Sequence, residues 1–244
     1  SNMAGAKQNF GNIYAENTPQ AYVQTLVPID YGHYHDRYME MSGEELTKLG
    51  KGKKITAIEL GSSYGNTTLG YRCGYNWDKA VDAWMNEEKP LEHKFDMHVI
   101  AQDISEQALG FGKKRGIFDE TIQHDFAVPI SNELAAALLK ADFCTTIMTT
   151  FYIPTERWYE IIFKFLADRS KPKLLAYNMM MAFDDRNWTP EVLFNGVPGW
   201  SCRRSFNKHR NFTELEQSTH HGNKEAWTMT YFVHFEALEK KAAH

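Results

Sequence analysis

Between Lys53 and Phe183 the chain alternates short apolar runs with longer amphipathic ones. "KKITAIEL" (53–60), "FDMHVIAQDI" (95–104), "TIQHDF" (121–126), "ADFCTTIMTT" (141–150) and "KPKLLAYNMMMAF" (171–183) are short and rich in apolar and β-branched residues, which predicts strands. The stretches between them read as helices. "SEQALGFGKKRG" (105–116) opens on a Ser cap and closes on Gly116, and "SNELAAALLK" (131–140) opens on another Ser cap. In "TERWYEIIFKFLADR" (155–169), Trp158, Ile161, Ile162, Phe165 and Leu166 share one stripe of a helix. Strands alternating with helices of this length predict an α/β fold with a mainly parallel sheet.

The two ends follow other patterns. Residues 7–50 are polar and dotted with aromatics. "TPQAYVQTL" (18–26) offers Thr18 as a cap with Pro19 behind it, and "SGEELTKLGKG" (42–52) offers Ser42 as a cap with Gly50 and Gly52 as stops. These predict a helical appendage over 1–52 ahead of a main domain over 53–244. Near the other end, "SFNKHRNFTELEQ" (205–217) and "NKEAWTMTYFVHFEALEK" (223–240) read as an antiparallel hairpin closing a sheet edge. Residues 66–94 are more than one helix needs, so an additional helix near 77–88 and a loop are expected. Ser1-Asn2 before Met3 has the look of an expression scar.

Composition narrows the function classes. The 244 residues suffice for a sizeable core. A net charge of −4 builds no broad positive field, which disfavours a general nucleic-acid binder. The one basic cluster, "CRRSFNKHR" (202–210), reads as a solvated loop. Cys73, Cys144 and Cys202 lie far apart with no CxxC spacing, which argues against a metal site or a redox pair and fits reduced thiols. No stretch of eighteen apolar residues occurs and no leader pattern is seen, so a cytoplasmic protein is expected.

Chemistry concentrates at the strand ends. In open α/β sheets ligands bind at the carboxyl ends of the strands, and acids close the first three: Glu59, Asp103 and Asp125. After the first, Gly61 and Gly65 let backbone approach a ligand closely, and the following helix would aim its N-terminus at the same place. The spacing does not match G-x-G-x-x-G, which weighs against a nicotinamide dehydrogenase.

These residues resemble the motifs of class I S-adenosylmethionine-dependent methyltransferases. Glu59-Leu60-Gly61-Ser62-Ser63-Tyr64-Gly65 resembles the nucleotide motif, with Ser63 where the middle glycine is usual. In "IAQDIS", Asp103 matches the acid that grips the ribose hydroxyls and Ile104 the apolar residue against the adenine. In "QHDF", Asp125 would bind the adenine amine, Phe126 would flank the ring and His124 would wall it. "TTIMTTFYIP" resembles the fourth strand and its active-site loop, including Thr149. The longer segment between Gly65 and Asp103 departs from the family pattern. The resemblance covers about residues 53–183 and implies a Rossmann-like seven-stranded sheet with the last strand antiparallel, helices on both faces and an N-terminal lid. It also implies S-adenosylmethionine as cofactor, with S-adenosylhomocysteine as product.

Methyl transfer needs alignment of acceptor, methyl and sulfur, and a base only for a protonated acceptor. No Asn/Asp-Pro-Pro-Tyr/Phe loop follows the fourth strand, which lowers base or glutamine methylation. A small-molecule O or N acceptor is therefore expected, on a monomer or homodimer without nucleic-acid or membrane partners. A non-catalytic partner subunit and a protein methyltransferase are the alternatives. Candidate acceptor walls are the tyrosines Tyr14, Tyr22, Tyr31, Tyr34 and Tyr38, the loop "TFYIP" (150–154) with Tyr152, and "WTPEVLFNGVPGWSCRR" (188–204). Among His33, His35, His220 and His221, His33 is the preferred base, because lid residues approach the methyl end.

Overall fold

The computed structural model describes residues 7–50 and 52–239. Ser1 and Asn2, read above as a scar, and Lys240, the last residue of the 223–240 strand reading, lie outside the described residues. Seven strands form one sheet: β1 (Ile55–Leu60), β2 (Met97–Asp103), β3 (Glu120–Gln123), β4 (Phe143–Thr146), β5 (Lys173–Met179), β6 (Trp200–Asn211) and β7 (Glu225–Phe235). Their order is β3-β2-β1-β4-β5-β7-β6. β1 to β5 pair in parallel. β7 runs antiparallel to both β5 and β6. The α/β architecture with a mainly parallel sheet expected from the alternating pattern, and the Rossmann-like seven-stranded form that the resemblance implied, are the ones observed.

The helices are α1 (Gln20–Leu26), α2 (Gly32–Gly50), α3 (Asn66–Cys73), α4 (Trp77–Met85), α5 (Glu106–Arg115), α6 (Asn132–Lys140), α7 (Thr155–Phe165), α8 (Pro190–Leu193) and α9 (Glu214–Thr219). Ser105 and Ser131 cap α5 and α6 through their side chains, and Gly116 ends α5 in the left-handed region. The extra helix of the 66–94 segment is α4, capped by the Asn76 side chain.

Period-two alternation splits the sheet between two cores. Ile55 and Ala57 of β1, Val99 and Ala101 of β2, and Leu174 and Ala176 of β5 face one side, against Tyr38 and Met41 of α2, Leu69 of α3 and Leu109 of α5. Ile58, Leu60, Ile100, Leu175 and Tyr177 face the other, against Leu134 and Leu138 of α6 and Trp158, Ile161 and Phe165 of α7. Ile13, Tyr22 and Leu26 belong to the first core as well, so the N-terminal residues share the sheet's own core.

Several local expectations are corrected. Ser42 is no cap: α2 begins ten residues earlier at Gly32, and the Ser42 hydroxyl donates to the Met39 carbonyl inside the helix. Pro19, not Thr18, holds the cap position of α1, without a side-chain bond. The strand read over 205–217 starts at Trp200 and ends at Asn211. Beyond it α9 is started by a capping box in which Thr213 and Glu216 satisfy each other's backbone N–H groups. The basic 202–210 segment is thus edge strand rather than loop.

Candidate functional site

A cavity of about 430 Å³ opens at the carboxyl ends of β1, β2 and β4. Its floor is the β1–α3 turn. The Gly61 N–H donates to Gln102 Oε1 (3.0 Å), and Gln102 Nε2 donates to the His124 carbonyl (2.7 Å), so one buried amide ties the ends of β1, β2 and β3 together. Gly61 sits at φ +68°, and a Cβ there would lie 2.5 Å from Thr149 Oγ1 and 2.6 Å from Thr149 Cγ2. Only glycine lets the turn come this close to the loop after β4. Gly65, at φ +94°, is needed for a different contact: its Cβ would meet Ile117 Cγ2 at 2.6 Å. Gly65 does not line the cavity.

Asp103 ends β2 and points into the cavity. Its Oδ2 accepts from the Ser63 N–H (2.8 Å) and its Oδ1 from the Ser105 N–H (2.9 Å). Each oxygen keeps a further lone pair for a ligand. Burial raises the Asp103 pKa, and the N–H groups of Ser105 and Ser63 oppose that rise. Of the four non-glycine residues with left-handed backbone among the described residues, Ser63 (φ +53°) and Met148 (φ +59°) line the cavity, and Asp30 and His221 do not. Strained backbone of this kind gathers at ligand sites. The hydroxyls of Ser62 and Ser63 and Nε2 of His124 are buried without a partner, and all three residues line the cavity.

Glu59 is placed otherwise than a ligand contact. Alternation turns it to the α3 side, where it accepts hydrogen bonds from the Thr68 and Tyr71 hydroxyls, and it does not line the cavity. Burial pushes its pKa up to about 8 against those two bonds. Its carboxyl instead ties the end of β1 to the start of α3 and so orients the turn between them.

Ile104, His124, Asp125, Phe126 and Thr149 all line the cavity. Ile104 is 61% exposed, an apolar side chain open at the cavity mouth. Asp125 stands at the rim, with Oδ1 accepting the Ala127 N–H (2.9 Å). Over the top runs the N-terminal segment, contributing Lys7, Phe10, Tyr14, Tyr22 and Tyr31. It is fastened by the Gln8 N–H to Glu216 Oε2 (3.1 Å) and by the Tyr64 hydroxyl to the Ile13 carbonyl (2.8 Å). Phe151 and Tyr152 close the side beyond β4. Burial holds the Tyr14 pKa well above its ordinary value and raises that of Tyr152, so both stay protonated and able to donate a hydrogen bond.

Other candidates fall outside. His33 is exposed at the start of α2 and does not line the cavity. His35 is buried against the Tyr75 carbonyl (2.8 Å), and His220 bonds the carbonyls of Glu216 and Ala182. Tyr34 and Tyr38 point their hydroxyls at Thr230 and Thr145 in the core. None of residues 188–204 lines the cavity, because Trp188, Leu193 and Phe194 are buried in the core on the α6–α7 side of the sheet. The reading of the sequence missed Lys7, Gln102, His209 and Arg210, all cavity residues. The only hint of the last two was the basic run 202–210. Among the described residues no cluster of His, Cys, Asp and Glu could hold a metal. No helix among them is long and apolar enough to cross a membrane.

No family model matches the chain, and no curated protein matches it in sequence. Solved structures do match in fold. A SAM-dependent methyltransferase from Anabaena variabilis superposes with a TM-score of 0.54 at 11% identity, covering 97% of this chain and 98% of that one. TehB from Haemophilus influenzae gives a TM-score of 0.50 at 13% identity over 79% of this chain, and the chain spans only 60% of TehB. A protein of Thermoplasma acidophilum gives 0.50 at 11% identity over 85% of this chain and 99% of its own. The chain carries the Rossmann-like fold of class I S-adenosylmethionine-dependent methyltransferases.

Proposed function

We propose that the protein is an S-adenosylmethionine-dependent methyltransferase acting on an oxygen or nitrogen of a small molecule. The observation that carries this reading is Asp103, buried at the end of β2 with both oxygens oriented by backbone N–H groups and a lone pair left on each. That geometry suits a vicinal diol such as the ribose of the cofactor. The orphaned Ser62 and Ser63 hydroxyls and the glycine-dependent approach of Gly61 to Thr149 fit a ligand lying along the β1–α3 turn. Ile104, His124, Asp125 and Phe126 would flank the adenine.

When bound, the cofactor supplies a methyl group made electrophilic by its sulfonium. The chain's own residues supply alignment and exclusion of water. The N-terminal segment roofs the cavity, and Tyr14 and Tyr152 donate hydroxyls that orient the acceptor. Acidic Asp103 and Asp125 line the same cavity and favour a cationic cofactor. A non-catalytic binding module would have its acceptor side filled. Here the cavity runs past the β1–α3 turn to polar Lys7, His209 and Arg210, which supports an enzyme. A cavity roofed by the N-terminal segment supports a small acceptor over an extended peptide.

Calorimetric titration with S-adenosylhomocysteine, against NAD as control, tests the reading. Micromolar binding of the first and none of the second is expected. Binding of NAD alone would reject it.

A further inference from the structure

Near its end β6 carries a β-bulge. Lys208 pairs with Trp227 and Arg210 with Ala226, leaving His209 as the extra residue. In a regular strand two neighbours face opposite sides of the sheet. The bulge breaks that rule, so His209 and Arg210 are 1% and 2% exposed and both line the cavity. The N-terminal segment brings Lys7 to the same cavity.

The charges there do not balance. Arg210 is matched by Glu216, Nη1 to Oε1 at 2.6 Å and Nη2 to Oε2 at 2.8 Å. Lys7 has no ion pair among the described residues. Its Nζ donates to the Tyr152 hydroxyl (3.0 Å) and, at 3.4 Å, to the Gln8 carbonyl, and lies 4.5 Å from the Phe10 ring centre. Two cations therefore share one carboxylate. Burial lowers the Lys7 pKa to about 8, helped by Arg210 and opposed by Glu216. His209 has no partner on either ring nitrogen. Its ring is gripped by Tyr31 and Tyr34, with centroids 5.2 and 5.0 Å away. Burial, and then the fields of Arg210 and Lys7, keep the imidazole neutral, so it holds a buried N–H with nothing to accept it. An orphaned N–H and a surplus cation call for the same ligand group.

Building on the methyltransferase reading, we propose that the acceptor carries an oxyanion, a carboxylate or a phosphate, seated between the bulge residue His209 and Lys7 beside Arg210. The oxyanion accepts the His209 N–H and a free ammonium N–H of Lys7. The surrounding rings of Phe10, Tyr31 and Phe151 receive the apolar body of the acceptor.

The test titrates benzoate, phenyl phosphate and uncharged benzamide into the full chain, with and without saturating S-adenosylhomocysteine. At least one anion is expected to bind tenfold or more tightly than benzamide, and the tighter arm identifies the oxyanion. His209→Phe and Lys7→Met should each erase most of that preference, while His209→Gln, which keeps an N–H donor, restores part of it. Lys7→Met, on the partly exposed N-terminal segment, decides the matter should His209→Phe fail to fold. Equal binding of benzamide and the anions overturns the proposal, as does anion binding weaker than about 1 mM, the weak end of specific affinity. S-adenosylhomocysteine and 5′-methylthioadenosine, which lacks the amino-acid group, are titrated into the same variants. If the variants weaken only the former, the cluster holds the cofactor's own carboxylate, and the acceptor proposal falls. Retained anion preference without S-adenosylhomocysteine binding would instead reject the cofactor reading and keep the seat.

Discussion

Asp103 and Glu59 are both buried acids at strand ends, yet they do different work. Asp103 faces the cavity with spare lone pairs, while Glu59 faces α3 and spends its carboxyl on Thr68 and Tyr71. Asp103→Ala should therefore weaken S-adenosylhomocysteine binding by on the order of 2–4 kcal/mol, the worth of charge-assisted hydrogen bonds lost from a buried site. Calorimetry on the variant checks this, and unchanged affinity would remove Asp103 from the site. Glu59 should instead report in stability. Its folded pKa of about 8 stands above the ordinary 4.5, so the native state holds a proton that the unfolded chain releases. The stability tied to that proton is full below about pH 4.5 and is lost as pH rises through 8. Glu59→Gln, which cannot ionise, should flatten the fall between pH 5 and 8 by at most about 1.4 kcal/mol per pH unit. Urea unfolding at a series of pH values measures it; parallel curves for both proteins would refute the assignment.

At the scale of elements, the site is a meeting of turns. The β1–α3 turn reaches the loop after β4 only because Gly61 has no Cβ. Gly61→Ala puts a methyl against Thr149 in a left-handed backbone, which should cost roughly 1–3 kcal/mol of stability and weaken S-adenosylhomocysteine binding. Adding Thr149→Ala removes the nearest clashing atoms and should recover part of both losses. A denaturation double-mutant cycle reads the coupling, and strictly additive effects would show that the contact is unimportant. Most elements were legible from pattern alone, since strand alternation and the Ser105 and Ser131 caps are local properties. The α2 start was not, because Ser42 resembles a cap wherever it falls and only the packing of Tyr34, Tyr38 and Met41 into the core carries the helix back to Gly32. The capping box Thr213–Glu216 was present in the sequence but hidden inside a strand-like reading.

At the scale of the whole molecule, the N-terminal segment closes the cavity that the sheet opens. Removing the chain through Asn9 deletes Lys7 and the Gln8 bond to Glu216 but leaves Ile13, Tyr22 and Leu26 in the core. The truncated protein should keep its circular-dichroism spectrum and release S-adenosylhomocysteine faster, on the order of tenfold, as most affinity changes appear in dissociation. Stopped-flow displacement measures the rate; an unaltered rate would mean that these residues do not retain the ligand.

The sequence by itself determined the alternation of strands and helices, the acids Glu59 and Asp103 at the ends of β1 and β2 and Asp125 just past β3, and the small residues of the first turn. These depend on neighbours two to four residues apart, which fix side-chain direction. The tertiary structure alone decided which acid faces the cavity and which faces a helix. It sent Trp188, Leu193 and Phe194 to the core on the α6–α7 side of the sheet and left His33 outside. It also turned His209 and Arg210 inward together, since a bulge in an edge strand changes side-chain direction only through its pairing with β7, a partner known only once the chain has folded.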